Sequence, residues 1–375
     1  MNRLSADDAR ELAARVVSMT AADAAEVIVA SGEEALTRFA GNRIHQNVTG
    51  TDTRVSVRAV LGDRQGVVST NRLDERSLAA CCSAAVAAAA LAPADPEFPG
   101  LPAPAAVESP SRASTAAREF GPGRRAEAVR SIVAACSARR TAAAGGVASG
   151  LRTVAVANSL GIDAGMETTS VRATVLAQSE AHGSGWASFF GPDPATLAAE
   201  RLGHVAADLA RRSERPGDLQ PGQYSVVLAP EAVADILDFL GYLGFSARAF
   251  AEGRSFMSGR LGERIMSEQV TITDDACAPE AFGLTFDYEG MPKRRVPLID
   301  GGVASAVVTD SYWAARTGFP NTGHALPAPN GFGPATIDLQ MAGGDTTLEE
   351  MVAAVERGVY VTRFHYVNVE DPVPA

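Results

Sequence analysis

The sequence predicts an α+β fold: a helix-bracketed antiparallel sheet in its amino-terminal domain and a strand-rich carboxy-terminal domain. Three observations predict it. Short runs with a period of two, AEVIVAS, ALTRFA, RIHQNV, TRVSVRAVL and GVVST, crowd the first seventy residues. Helical patterns stand on either side of them. A proline-rich stretch then separates this unit from later ones in which strand-like runs return.

Element by element, Ser5 is placed to cap a first helix, with Asp8 three residues on and Leu12, Ala13, Val16 and Val17 at helical spacing. Gly41-Asn42 and Gly62-Asp63 occupy hairpin positions among the strands, and a second helix is expected from Asp74 to Leu91. Pro93, Pro96, Pro99, Pro102, Pro104 and Pro110 break the next stretch, because proline continues neither helix nor ladder. A helix over 124–139, strands around LRTVAVANS and TTSVRATVLAQ, and a helix over 194–212 follow. Beyond Gly222, Pro230 opens a helix through DILDFLGYL, Asp300-Gly301 marks a hairpin, and Thr346 with Glu349 has capping-box spacing. The expected organisation is an α+β domain over 1–92, a connection over 93–119, a middle α/β region over 120–218 and a carboxy-terminal domain over 219–375.

Composition narrows the function. A formal net charge of −11 disfavours nucleic acid as a partner, since that affinity rests on clustered Lys and Arg. Lys293 is the only lysine and lies outside any glycine-rich loop, so no P-loop is present. The amino terminus lacks the apolar core of a secretion signal, and AAVAAAALA from Ala84 spans about half of the roughly 20 residues a membrane crossing needs. A cytoplasmic protein without a membrane partner is expected. The four cysteines form no CxxC pair, and the five histidines, His45, His182, His204, His324 and His365, stand alone in their segments. HExxH, HExxxH and GxSxG are all absent. The GxGxxA-like string at Gly121 follows a helical segment instead of a strand, which is the wrong setting for a dinucleotide.

Few side chains remain as candidates. Glu200, His204 and Asp208 recur every four residues, but opposite Leu202, Val205, Ala206 and Leu209, which reads as a solvated face. Asp287 and Glu289 in TFDYEG would share one face of a strand, either as a carboxylate pair lining a cleft or as salt-bridge partners of Arg294 or Arg295. Arg363 and His365 in TRFHYVN would likewise share a face, as a carboxylate-binding pair or as ordinary strand residues.

Together ALTRFAGNRIHQNV, DTRVSVRAVLGDRQGVVSTNRLDERSL, DPEFPGLP, VAVANSLGI, GSGWAS, SGRLGERI, FDYEGMPKRRVPLIDGGV, GDTTLEEM and TRFHYVN resemble the TldD/PmbA family along nearly the whole chain. The resemblance implies a two-subunit proteolytic system. In it, a TldD-type subunit holds zinc through HExxxH and a later cysteine, and a TldE (PmbA) subunit pairs with it. DFLGYL, Asp238 to Leu243, stands where HExxxH would be, and its side chains supply no imidazole for a zinc ion. The chain is therefore similar to the TldE branch: a non-catalytic partner with no cofactor of its own, the zinc belonging to a TldD-type subunit. Arg363, His365, Asp287 and Glu289 would line the peptide cleft. Two rival readings are an independent metal-free hydrolase and a homodimeric peptide-binding protein. The family pattern continues past TRFHYVN whereas this chain ends at VEDPVPA, and strand edges left open there would favour association.

Overall fold

The computed structural model describes residues 3–107, 112–278, 281 and 283–369. Pro110, within the proline-rich connection, lies outside them. Helix α1 (Ala6–Met19) starts at Ser5, whose hydroxyl accepts from the Asp8 N–H while the Asp8 carboxylate accepts from the Ser5 N–H. Strands β1 (Ala24–Ala40), β2 (Arg43–Leu61) and β3 (Arg64–Thr70) form a meander closed by helix α2 (Glu75–Leu91), which is capped by Asp74. After a short helix α3 (Thr115–Arg118), the plan repeats: helix α4 (Pro122–Ala138), strands β4 (Thr141–Asn158), β5 (Asp163–Ser179) and β6 (Ser184–Gly191), then helix α5 (Ala199–Arg212). The two meanders join through β1 and β4 into one antiparallel sheet of order β3-β2-β1-β4-β5-β6.

The strands are longer than the sequence suggests. AEVIVAS and ALTRFA are one strand, as are RIHQNV and TRVSVRAVL. Gly32 and Gly50 do not interrupt them, because ladder pairing to Asp52 and Arg152 in one case and Glu34 in the other holds the backbone extended against local propensity. At the tip of the first hairpin Gly41 and Asn42 both have positive φ, 55° and 64°, as the expected two-residue turn requires.

Alternation on β1 divides the sheet between two layers. Val27 and Val29 face α1 and α2, packing with Leu12, Val16 and Leu78. Ile28, one residue out of phase, joins Val154 and Val156 on the other face, against Leu284 and Phe286 of the carboxy-terminal part. Helices α4 and α5 cover the first face farther along. Helix α5 approaches α4 at Gly203 and β6 at Ala206 and Ala210, where a Cβ at Gly185 would fall 2.0 Å from the Ala206 carbonyl oxygen. This close contact turns the helix relative to the sequence expectation. Ala206 is buried as foreseen, but Val205 is 41% exposed, and it borders a cleft together with Leu202 and Leu209.

The remaining chain contributes strand β7 (Ser225–Leu228), helices α6 (Pro230–Leu243) and α7 (Ala247–Ala251), strands β8 (Ile272–Asp274), β9 (Val296–Asp300) and β10 (Val303–Ala304), helix α8 (Ser311–Thr317), strand β11 (Leu339–Met341), helix α9 (Leu348–Ala353) and strand β12 (Gly358–Val361). These strands form a small sheet, β10-β9-β8-β11, and a parallel pair, β7 with β12. Two local expectations shift by one residue. The hairpin turn is Gly301-Gly302, and the capping box of α9 is Thr347 with Glu350. Among the described residues no helix is long and apolar enough to cross a membrane.

Candidate functional site

Where the sheet meets the carboxy-terminal part, charged side chains are buried. Glu26 on β1 and Arg58 on β2 are direct cross-strand partners, on the face that carries Ile28. Arg58 Nη1 lies 3.4 Å from Glu26 Oε1 and 3.8 Å from Glu289 Oε1, while its Nε donates to Gln65 Oε1 at 2.9 Å. Glu289 also accepts from the Ser311 N–H at 3.1 Å, and Asp310 caps α8 by accepting from the Trp313 N–H at 2.8 Å.

Asp287 and Glu289 are indeed neighbours, but not on a strand. The Asp287 carboxylate accepts from the N–H groups of Glu289, Met291 and Ala325, each at 2.9 Å, and so folds the segment into a turn ending at Gly290. A short acidic side chain that captures main-chain donors ahead of it competes with the sheet ladder, which is why period-two alternation fails here. The expected partners fail too. Arg295 pairs with Asp275 at 3.5 Å, and the cation beside Glu289 is Arg58.

Glu26 and Glu289 thus share one guanidinium, and burial raises the proton affinity of Glu26, Asp310 and Asp287. Burial pushes Glu26 up from 4.5 to about 7; Arg58 opposes the shift and the Glu289 charge adds to it. Asp310 rises from 3.8 to about 6, by burial and the nearby Glu289 charge, against the pull of the Trp313 N–H. Asp287 lies well above its ordinary value through burial and the Glu289 charge, despite its three main-chain donors. Glu26 is 1% exposed, and among the described residues its Oε2 has no hydrogen-bond partner. Beside this cluster opens a cleft of about 580 Å³ bordered by Arg58, Glu289, Asp310, Trp313, Arg248 and Asn330. Chemically the arrangement can store protons and bind polar groups.

A second polar group serves as a brace. His324, 1% exposed, places Nε2 at 3.0 Å from Asp274 Oδ1 and Nδ1 at 2.9 Å from Thr322 Oγ1. The spacing resembles a hydroxyl–imidazole–carboxylate chain, but the Thr322 hydroxyl donates to the Thr309 carbonyl, and Asp274 Oδ2 accepts from the Ile337 and Asp338 N–H groups. These contacts tie β8 to two loops, and the imidazole has no open approach for a substrate.

The other two sequence candidates lie elsewhere. Strand β12 ends at Val361, so Arg363 and His365 are not strand residues and the alternation that put them on one face does not apply. Arg363 stacks 4.5 Å from the Trp186 ring centroid and borders a second cleft, of about 880 Å³, beside β6 and α5. His365 is exposed. Sequence reasoning missed Glu26, Arg58 and Asp310. A signal existed for two of them: in AEVIVAS and VSVRAV a charge interrupts a strand with apolar residues around it.

Among the described residues no donor set fits a zinc ion. Helix α6 docks through Gly241, against Thr336 and Leu339, and Tyr242 meets the Phe332 ring at 6.3 Å. His45, His182, His204, His324 and His365 do not converge, and among the described residues no group of three His, Cys, Asp or Glu side chains is arranged to hold a metal.

A six-stranded antiparallel sheet built from two meanders, with a third part of small sheets and helices seated on one face, defines the class. Residues 25–89 match domain 1 of the PmbA/TldA metallopeptidases, residues 97–215 their central domain and residues 221–374 their C-terminal domain. The chain belongs to the TldD/PmbA family. It is 27% identical over 167 residues to a metalloprotease of Methanothermobacter thermautotrophicus (43% of this chain, 36% of that protein). It is 29% identical over 172 residues to a zinc metalloprotease TldD homolog of Saccharolobus solfataricus (43% and 37%). These alignments span little more than a third of each relative's own length. Among solved structures, TldE from Thermococcus kodakarensis superposes with a TM-score of 0.86 at 19% identity, over 96% of this chain and 84% of that one. A putative modulator of a DNA gyrase from Thermotoga maritima gives 0.83 at 18%, over 94% and 82%. The two structures share this fold.

Proposed function

We propose that this chain is the non-catalytic, TldE-type subunit of a cytoplasmic two-subunit metallopeptidase that cleaves peptides or peptide-like amides, with the zinc held by a TldD-type partner. The observation that carries this reading is the last turns of α6: Asp238, Phe239, Leu240, Gly241, Tyr242 and Leu243 occupy the stretch that corresponds, by the family resemblance, to HExxxH. Hydrolysis by a zinc-bound water needs converging imidazole, thiolate or carboxylate donors and a base for that water. The likeness to Thermococcus TldE supports the same branch, and the formal charge of −11 agrees with a partner other than nucleic acid.

Co-expression with a TldD-type chain carrying HExxxH tests it, by light scattering on the purified complex with elemental analysis. A heterodimer with about one zinc, and a chain that alone holds none and cleaves no peptide, is the expected result. Zinc retained stoichiometrically by this chain alone through dialysis would overturn the proposal, as would a failure to associate with that partner in favour of a homodimer.

A further inference from the structure

Among the described residues strand β6 is an outer strand and pairs with β5 alone. Its free edge can be located from one contact. The Ser184 N–H donates to Ser213 Oγ at 2.9 Å, and the Ser213 hydroxyl donates back to the Ser184 carbonyl at 2.8 Å. In an antiparallel ladder, residues that face the neighbouring strand alternate with residues that face away from it. Ser184 therefore faces away from β5. The register from Ser184 to Gly191 is unbroken, so Trp186 and Ser188 face away as well. Ser213 blunts one end of this edge. Among the described residues the main-chain N–H and C=O groups of Trp186 and Ser188 meet no partner on that side.

The edge opens on the cleft of about 880 Å³, which is bordered by every residue from Ser184 to Phe189. Successive side chains of a strand point to opposite faces, so an unbroken run along the border means that the cleft wraps around the edge and does not lie on one face. One wall is the half-exposed apolar stripe of α5, Leu202, Val205 and Leu209. The opposite wall is Tyr360, Thr362 and Arg363, the last stacked on Trp186.

Charge selects the occupant. Arg201, Arg212 and Arg363 border the cleft, and none has a carboxylate ion pair among the described residues. Asp208 is occupied by Arg139 at 3.0 Å, which leaves Glu231 as the opposing acid. This is a basic groove on a chain of formal charge −11. A second copy pairing edge to edge would bring like arginines together, whereas a chain with acidic side chains would neutralise them.

The geometry points to the β6 edge as a docking groove for an extended acidic peptide, added as a further antiparallel or parallel strand. Its main chain pairs with Trp186 and Ser188, its apolar side chains lie on the α5 stripe, and its carboxylates face the other wall, where they meet Arg363, with Arg201 and Arg212 adding positive charge at the border of the cleft. The groove is a property of this chain alone and does not depend on the peptidase reading.

The test measures fluorescence anisotropy of labelled octapeptides with alternating valine and glutamate, against counterparts in which lysine replaces glutamate, using the purified full chain without partner or metal. The acidic peptide is expected to bind saturably and at least about tenfold tighter than the lysine one, with affinity falling as salt rises. N-methylation of alternate residues removes donors from one side of the peptide at a time. One methylated series is expected to lose about tenfold or more while the other binds nearly unchanged. Ser188→Pro removes an outward N–H, a substitution that an edge position tolerates, and is expected to abolish binding with thermal stability retained. Failure of the acidic peptide to bind overturns the proposal. So do equal losses in the two methylated series, or an edge used only for self-association that Ser188→Pro abolishes.

Discussion

Arg58 of β2 reaches across to Glu289, with Nη1 at 3.8 Å from Oε1, while holding Glu26 of its own sheet at 3.4 Å. The guanidinium therefore bridges the sheet and the carboxy-terminal part at a buried contact. It also stacks 5.3 Å from the Phe98 ring centroid, so the proline-rich connection is fastened to the same point.

Removing that cation strands its carboxylates. Arg58→Met is expected to destabilise the fold by about 3 kcal/mol at pH 8, because losing one partner of a buried pair leaves the other uncompensated. The loss shrinks towards pH 5, where Glu26 is protonated. Urea unfolding at the two pH values checks this; an equal loss at both would show that Arg58 acts through packing alone.

Glu26 adds a pH dependence whose sign is fixed by its direction of shift. The folded state raises its pKa from 4.5 to about 7, so its contribution is fully present below pH 4.5 and is lost as pH rises through about 7. Glu26→Gln should leave stability at pH 4 near that of the parent and exceed it above pH 7, by on the order of 3 kcal/mol. Chemical denaturation across that range measures the difference, and a gap independent of pH contradicts the assignment.

Asp274 behaves in the opposite sense. Burial alone would raise its pKa, but the hydrogen bond and charge of His324, the Ile337 N–H and Lys293 together hold it below 3.8. Its stabilisation is present above pH 3.8 and is lost as pH falls through the lowered folded value. Asp274→Ala is expected to cost about 3 kcal/mol at pH 7, since it leaves buried main-chain donors unpaired. The gap should narrow in acid, as thermal melts at several pH values would reveal.

Lys293, the only lysine, is 6% exposed and pairs with Asp338 at 2.9 Å. Acylation of its amine should run at least about 100-fold slower in the native protein than in the unfolded chain, because reaction requires local opening. Peptide mapping after timed labelling gives both rates. Rapid native labelling would mean that the Lys293–Asp338 pair opens freely.

By itself the sequence determined the elements whose signals are local. Ser5 with Asp8 and Asp74 mark helix starts through hydrogen bonds spanning three residues, and Gly41-Asn42 marks a turn through its φ angles. The order of its motifs also sufficed for the family, and the absence of HExxxH is legible on α6. Tertiary structure alone decided the sites. Glu26, Arg58 and Glu289 lie far apart along the chain and meet only because β1 and β2 pair in one register and the carboxy-terminal part covers that face. Arg363, two residues beyond β12, meets Trp186 of β6 from far along the chain, and Asp287 lies in a turn because its carboxylate captures three main-chain donors. Periodicity reports which face of an element is apolar; which charged groups share a buried space depends on long-range register and packing, and no short stretch of residues encodes it.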